Sequence, residues 1–251
     1  MTSPASSTTR AFKFLLTSYT LEEESKKKKW YKYTNVIEAF KSIGFQTAWI
    51  SCQKEKGLFD NLPSGYSKLC DTIVFDNRNE KPKYDDFLIN AYSQDAVDDS
   101  PTLIFYHMMG QHELFSDRYP DEYCLFGPKN RKGLGSLKDE VIADYDNATL
   151  FNDYVVSSII DLYNDKSAIV LYFPDHGLDI YDTDSDYFGH AMATPESQDH
   201  CKQIPFLIYV TNKFKDNYLT IVDKLRNRSK EGFCTDKLIY LLLEIAGYTL
   251  Q

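Results

Sequence analysis

Long apolar runs are missing from these 251 residues. No stretch reaches the ~20 residues needed to cross a bilayer. The amino end, MTSPASSTTR, has neither the charged start nor the apolar middle of a secretion signal. Cysteine is scarce and scattered over Cys52, Cys70, Cys124, Cys201 and Cys234, with no CxxC pair to suggest a zinc ribbon or a thioredoxin-like centre. The odd count leaves at least one thiol unpaired within the chain, and Cys52 and Cys70 are far enough apart to close a loop. Positive charge is also short. Twenty-eight Lys and Arg face 37 Asp and Glu, for a net charge of −9, which excludes a generic nucleic-acid binder. The run Lys26 to Lys29 follows Glu22 to Glu24 and reads as a solvated face, with contact to phosphate or an anionic membrane as the other reading.

Hydrophobic residues make up 43% of the chain and aromatics 15%, enough for a packed core and too much for disorder. The length suits one large α/β domain, and neither a repeat nor a linker divides it. Helices are expected at 8–17, 34–42, 84–92, 144–163 and 237–245. The longest has Leu150, Tyr154, Val155, Ile159, Leu162 and Tyr163 on one side. Strands are expected at 45–50, 71–75, 102–106, 168–173 and 204–210. Residues 116–140 read as an irregular excursion, and 174–203 as a long acidic loop. Alternation of helices with apolar strands predicts an α/β fold, with a largely parallel central sheet and helices on both faces.

Histidine is rare too, yet four of the five sit beside strand signals: His107 and His112 in FYHMMGQHELF, His176 in YFPDHGLDIYD and His190 in YFGHAM. The apolar run from Ala168 to Phe173 ends at Asp175-His176-Gly177. A buried strand that stops at an Asp–His pair delivers an oxygen and a nitrogen to one point, a mixture that suits zinc. In open α/β sheets, that carboxyl edge is where sites form. His107 and His112 flank Gly110 and suit a second metal or the charged groups of a substrate. His190 sits between small residues. His200, in a polar stretch, is expected on the surface. Ser6, Ser7, Thr8 and Thr9 precede an apolar helix; hydroxyls there are ordinary caps, or anion and nucleophile positions.

Together FYHMMGQHELFSDRYP, YDNATLFNDYVVSSIIDL, IVLYFPDHGLDIYD, YFGHA and IPFLIYV resemble, in this order, the phosphoethanolamine transferases. Those enzymes form a sulfatase-like branch of the alkaline phosphatase superfamily. The likeness runs from GFQTAWISCQ to TDKLIYLLLEIAGY and is nearest in tone to members that modify lipid A or the lipopolysaccharide core. It implies a zinc-dependent transfer in two steps. A threonine takes phosphoethanolamine from phosphatidylethanolamine, releasing diacylglycerol, and then passes it to lipopolysaccharide. Carried over by position, the nucleophile falls on Thr8, with Thr17 closing its helix and Thr9 as the other candidate. The zinc ligands fall on Thr8, Asp175 and His176. His112 and His190 fall around the transferred group, as catalytic and substrate-binding residues, and His107 is a substrate-binding companion.

The resemblance also implies what is missing. The family's fourth zinc ligand is a glutamate on a strand upstream of the threonine, and only seven residues precede Thr8 here. Residues 1–251 are therefore expected to be a single catalytic domain cut short at its N-terminus, without that strand. Pro174, Leu178 and Cys52 depart from the family's usual residues, and Asp179 is a candidate substitute for a lost acid. The expected setting is the periplasmic catalytic domain of an inner-membrane protein, a monomer that meets the membrane surface through its substrate. Two alternatives remain. One is a sulfatase or phosphodiesterase of the same superfamily, although Thr8 stands between Ser6 and Arg10 where a sulfatase has Pro. The other is a degenerate domain that binds glycolipid without turnover.

Overall fold

The computed structural model describes residues 1–55, 61–79, 82–92, 100–127, 136–184, 186–190 and 194–248. The chain opens with helices α1 (Thr8–Leu15), α2 (Leu21–Ser25) and α3 (Val36–Ser42), then strand β1 (Gln46–Ser51). Helix α4 (Asn61–Ser67), strand β2 (Thr72–Phe75), helix α5 (Phe87–Asn90) and strand β3 (Thr102–His107) follow. The long helix α6 (Ser136–Asp161) leads to β4 (Ile169–Tyr172). A short hairpin of β5 (Asp179–Ile180) and β6 (Phe188–Gly189) precedes α7 (Pro195–His200). Strand β7 (Leu207–Val210) and helices α8 (Asn212–Asn217), α9 (Leu219–Arg228) and α10 (Leu238–Ile245) complete the order.

Strand β1 explains the layering. Its Trp49 packs into a cluster with Phe12 and Leu15 of α1, Phe40 of α3 and Ile239 of α10. Its Ala48 and Ile50 face the opposite cluster, with Leu88, Phe115 and Phe151, Val155 and Ile159 of α6. A strand buried along nearly its whole length, with helices on both faces, is the signature of a parallel sheet interior. β1 pairs in parallel with β2 on one side and β3 on the other. β4 pairs antiparallel with β7. Among the described residues, no strand links β3 to β4.

Local chemistry sets the helix ends. The Asn35 side chain accepts from Glu38 N–H at 2.8 Å and starts α3. The chain leaves α3 through Gly44 at φ +90°, a conformation that glycine reaches without strain. The hydroxyl of Thr17 donates to the Lys13 carbonyl and accepts from Tyr19 N–H, closing the turn after α1. Ser7 precedes α1 in an extended conformation but gives it no side-chain cap.

Several expected boundaries move. The helix expected at 84–92 is only α5, and α6 begins eight residues before the expected start. Tyr154 points to solvent; the buried stripe of α6 is Ala148, Phe151, Val155 and Ile159. The expected acidic loop contains β5, β6 and α7. Part of the excursion at 116–140 lies outside the described residues, and what is described includes two short 3-10 turns, Phe115–Asp117 and Asp121–Tyr123. All five cysteines are free thiols, so Cys52 and Cys70 close no loop. No helix among the described residues is long and apolar enough to cross a membrane.

Candidate active site

The first residues run as an extended segment against two neighbours. Ser3 N–H donates to the Lys202 carbonyl at 2.7 Å, and Thr2 N–H to the Phe233 carbonyl at 3.0 Å. The buried Ser3 hydroxyl then lies 2.9 Å from the Ala5 carbonyl and 2.5 Å from the Asp175 carbonyl. This fixes the start of α1 beside the end of β4. Thr8, the first residue of α1, places Oγ1 3.3 Å from Nε2 of His176. Asp175 Oδ2 lies 3.7 Å from the same nitrogen. Thr9 is exposed.

The corner that carries His176 is held from behind. Gly177 N–H donates to the Cys201 carbonyl at 2.6 Å. A Cβ on Gly177 would lie 3.0 Å from the Gln203 carbonyl oxygen and 3.1 Å from that of Cys201, so the close backbone approach requires glycine. His176 Nδ1 lies 2.8 Å from its neighbour Gly177's carbonyl, an acceptor, so Nδ1 carries the hydrogen and Nε2 presents its lone pair to Thr8 and Asp175. Asp175 Oδ1 accepts from His176 N–H at 3.0 Å.

The His190 ring lies tilted against that of His176, with centroids 4.2 Å and planes 35° apart. Its Nδ1 donates to the Ser6 carbonyl at 2.8 Å, so Nε2 is again the open nitrogen, 4.0 Å from Glu113 Oε1. Burial, followed by the neighbouring His176, lowers the His190 pKa. His112 is exposed and lines the same cavity as Thr8, Asp175, His176 and His190. Its loop is anchored by buried Asp85, which accepts from Met109 N–H at 2.9 Å and Gly110 N–H at 2.7 Å. The Arg118 guanidinium donates to the carbonyls of His112 and Glu113. His107 lies at the base of the site. Its ring packs against Phe12 and Trp49, Nδ1 is 3.0 Å from the Ser51 hydroxyl, and burial drives its pKa down to about 4.

Two expectations receive answers here. His200 is on the outside, 3.3 Å from Asp182 and apart from the site. Asp179 does not replace a lost acid. It is buried and occupied, accepting from Asp182 N–H, Thr183 N–H and the Thr183 hydroxyl, so it builds a turn. Glu113, Ser3, Asp85 and Arg118 escaped the sequence reading. Only Glu113 had a signal, its place directly after His112.

Thr8, Asp175 and His176 suit zinc. Ligand atoms ~2.0–2.2 Å from a tetrahedral zinc stand roughly 3.3–3.6 Å from one another. The separations of 3.3 and 3.7 Å at His176 Nε2 are close to that, and the tautomer leaves this nitrogen free to ligate. Among the described residues, no group of three or more His, Cys, Asp or Glu side chains is placed to hold a metal ion, so a site at Asp175 and His176 needs a donor of another kind, such as the Thr8 hydroxyl.

The sequence profile of the Sulfatase family matches residues 1–248. This chain belongs to the Sulfatase family. This sulfatase-family chain is 27% identical over 190 residues to phosphoethanolamine transferase EptC of Escherichia coli O18:K1:H7, covering 72% of the chain and 33% of the relative. It is 28% identical over 192 residues to the Kdo(2)-lipid A phosphoethanolamine 7''-transferase of Escherichia coli K12, covering 74% of the chain and 33% of the relative. The chain thus spans about a third of the length of these relatives. Its fold is that of the C-terminal periplasmic domain of Escherichia coli EptC, solved as a zinc complex. The TM-score is 0.76 at 24% identity, with 94% of this chain and 67% of that one covered.

Proposed function

We propose that residues 1–251 form one catalytic unit that transfers phosphoethanolamine from phosphatidylethanolamine to a lipopolysaccharide acceptor, with Thr8 as the nucleophile. The observation that carries this reading is the placement of the Thr8 hydroxyl 3.3 Å from His176 Nε2, within a group that also contains Asp175 and His190. The transferase relatives supply the substrate class.

Thr8, Asp175 and His176 would hold the metal, and a bound zinc ion would neutralise phosphate charge and lower the pKa of the Thr8 hydroxyl. In the first step the Thr8 oxygen bonds to phosphorus, and the bond from phosphorus to the diacylglycerol oxygen breaks. That oxygen leaves with a proton. In the second step an acceptor oxygen bonds to phosphorus, the Thr8–phosphorus bond breaks, and the threonine oxygen regains a proton. His190 and His112 line the space where the phosphate would lie and would orient its oxygens and move the leaving group's proton. The Ser6 carbonyl holds His190 with Nε2 open for that task. The periplasmic face of a membrane is the setting in which both substrates meet.

The test combines zinc, fluorescent phosphatidylethanolamine and peptide-mapping mass spectrometry. A phosphoethanolamine mass is expected on Thr8, lost in Thr8→Ala and kept in Thr9→Ala, and released on addition of a lipopolysaccharide acceptor. Rapid hydrolysis of simple phosphodiesters or sulfate esters without an acceptor would replace this reading with a hydrolase. No adduct and no zinc binding at micromolar metal would leave a glycolipid-binding domain.

A further inference from the structure

One side chain of the site is out of keeping with its surroundings. A pocket that handles phosphate gains nothing from a carboxylate that holds no metal, because like charges repel. Glu113 is nevertheless there, lining the same cavity as Thr8, Asp175, His176 and His190. Its side chain is 48% exposed, so a ligand can reach it. Among the described residues its one ionic contact is His190 Nε2, 4.0 Å from Oε1, too long for a hydrogen bond.

The backbone around Glu113 is strained to hold it there. Leu114, the next residue, adopts the left-handed region at φ +64° and ψ +57°, which a residue bearing a Cβ rarely visits. Leu114 is 71% exposed, so packing does not account for the strain. The turn it makes is braced by Arg118, whose guanidinium donates to the carbonyls of His112 and Glu113 at 3.2 Å each. Opposite the carboxylate, Gly189 leaves space. A Cβ there would lie 3.5 Å from Glu113 Oε1 and 3.2 Å from the Tyr187 hydroxyl, so a side chain at 189 would crowd the carboxylate. Strain, a brace and a gap converge on one exposed acid.

We propose that Glu113 selects the substrate's headgroup, its carboxylate pairing with the primary ammonium of phosphoethanolamine while the phosphate lies at Thr8 and His176. This inference rests on the transferase reading and names what that site selects. The contacts run in sequence: Thr8 Oγ1 to His176 Nε2 at 3.3 Å, the His176 ring to the His190 ring at 4.2 Å, and His190 Nε2 to Glu113 Oε1 at 4.0 Å. In phosphoethanolamine an ester oxygen and a pair of methylene groups separate phosphorus from the ammonium nitrogen, a reach of roughly 5 Å. An arm of that length, beginning at a phosphate beside His190, reaches the carboxylate. The ammonium then offsets the repulsion that Glu113 exerts on the phosphate. A headgroup with an uncharged end would strip water from the same carboxylate and give it no partner, so the site discriminates against it.

Isothermal calorimetry on the zinc-loaded chain tests it with a pair of soluble probes, O-phosphoethanolamine and propyl phosphate, which differ by an ammonium in place of a methyl group. The chain is expected to bind phosphoethanolamine about fivefold more tightly. Glu113→Gln should abolish that preference, and Glu113→Lys should reverse it. Propyl phosphate should bind neither variant more weakly than it binds the unaltered chain, because each change removes a repulsion. Equal affinity for the probes in the unaltered chain, or binding of neither, would overturn the proposal. So would a preference that survives in Glu113→Gln, or a parallel loss of both probes in that variant, which would make Glu113 a prop for its loop. Peptide mapping of Thr8 after exposure to phosphatidylethanolamine keeps this inference apart from the transferase reading. An adduct on Thr8 with the preference intact in Glu113→Gln sinks the headgroup assignment alone. Loss of the preference in Glu113→Gln with no adduct supports the assignment and sinks the transfer step alone.

Discussion

His176 and His190 show how little freedom a side chain needs to lose before it becomes useful. Each donates Nδ1–H to a backbone carbonyl, and each keeps Nε2 open. Asp175→Ala and His176→Ala are expected to abolish zinc binding by isothermal calorimetry, while His200→Ala, paired to Asp182 outside the site, leaves it intact. Equal loss in all three would place the metal elsewhere. Gly177→Ala forces a Cβ to 3.0 Å from the Gln203 carbonyl oxygen. It should cost about 1–3 kcal/mol in urea denaturation and weaken zinc binding. His107 sets a pH dependence. Its folded pKa of about 4 lies below the unfolded value, so the unfolded chain takes up the proton first. Its contribution is fully present above about pH 6.5 and is lost as pH falls toward 4, by roughly 1.4 kcal/mol per pH unit. His107→Gln should flatten that part of the stability profile. An unchanged slope would assign it to the carboxylates.

At the scale of elements, loops bring the residues together and buried side chains hold the loops. Asp85 accepts two backbone N–H groups from the 108–112 loop, and Asn147 of α6 accepts from Leu125 and Phe126 N–H. Asn147→Ala strands two donors and should cost about 2–4 kcal/mol, with faster hydrogen exchange at 125–126. Asp85→Ala should loosen the His112 loop and leave zinc affinity at Asp175 and His176 unchanged, which calorimetry can check. Much of this level was legible in sequence. The β4 run ending at Asp-His-Gly marked its own corner, because an apolar strand followed by polar ligands and glycine has few other uses. The early start of α6 was missed although Val141 and Tyr145 continue its apolar spacing; the charged Lys138, Asp139 and Glu140 and the exposed Leu137 mask it. The anchors Ser3 and Asp85 were not legible: Asp175, which Ser3 reaches, and Met109, which Asp85 reaches, are more than 20 residues away in sequence, and single hydroxyls or carboxylates carry no pattern.

For the molecule as a whole, the class of the fold followed from alternating periodicities, and its division into two half-sheets did not. An apolar run reports that a strand suits burial; it does not report which neighbour covers it. The cysteines differ by burial at this scale. Burial raises the pKa of Cys70 to about 11 and that of Cys52 further, while Cys124 is exposed. Maleimide labelling of the native protein should reach Cys124 first, and Cys52, Cys70 and Cys201 only on unfolding. Reducing agent should leave the melting temperature unchanged, because no disulfide exists to break.

Cys201 has a second consequence. Its carbonyl accepts from Gly177, next to His176, and its thiol lies 3.6 Å from the carbonyl of Gly189, next to His190. Both rings are thus moored to one residue behind the site. A shift of α7 would carry them together, changing where the pair points while preserving the 4.2 Å between them. The arrangement rejects differential error and passes common displacement, so drift in the surrounding helices would degrade aim before it degraded spacing.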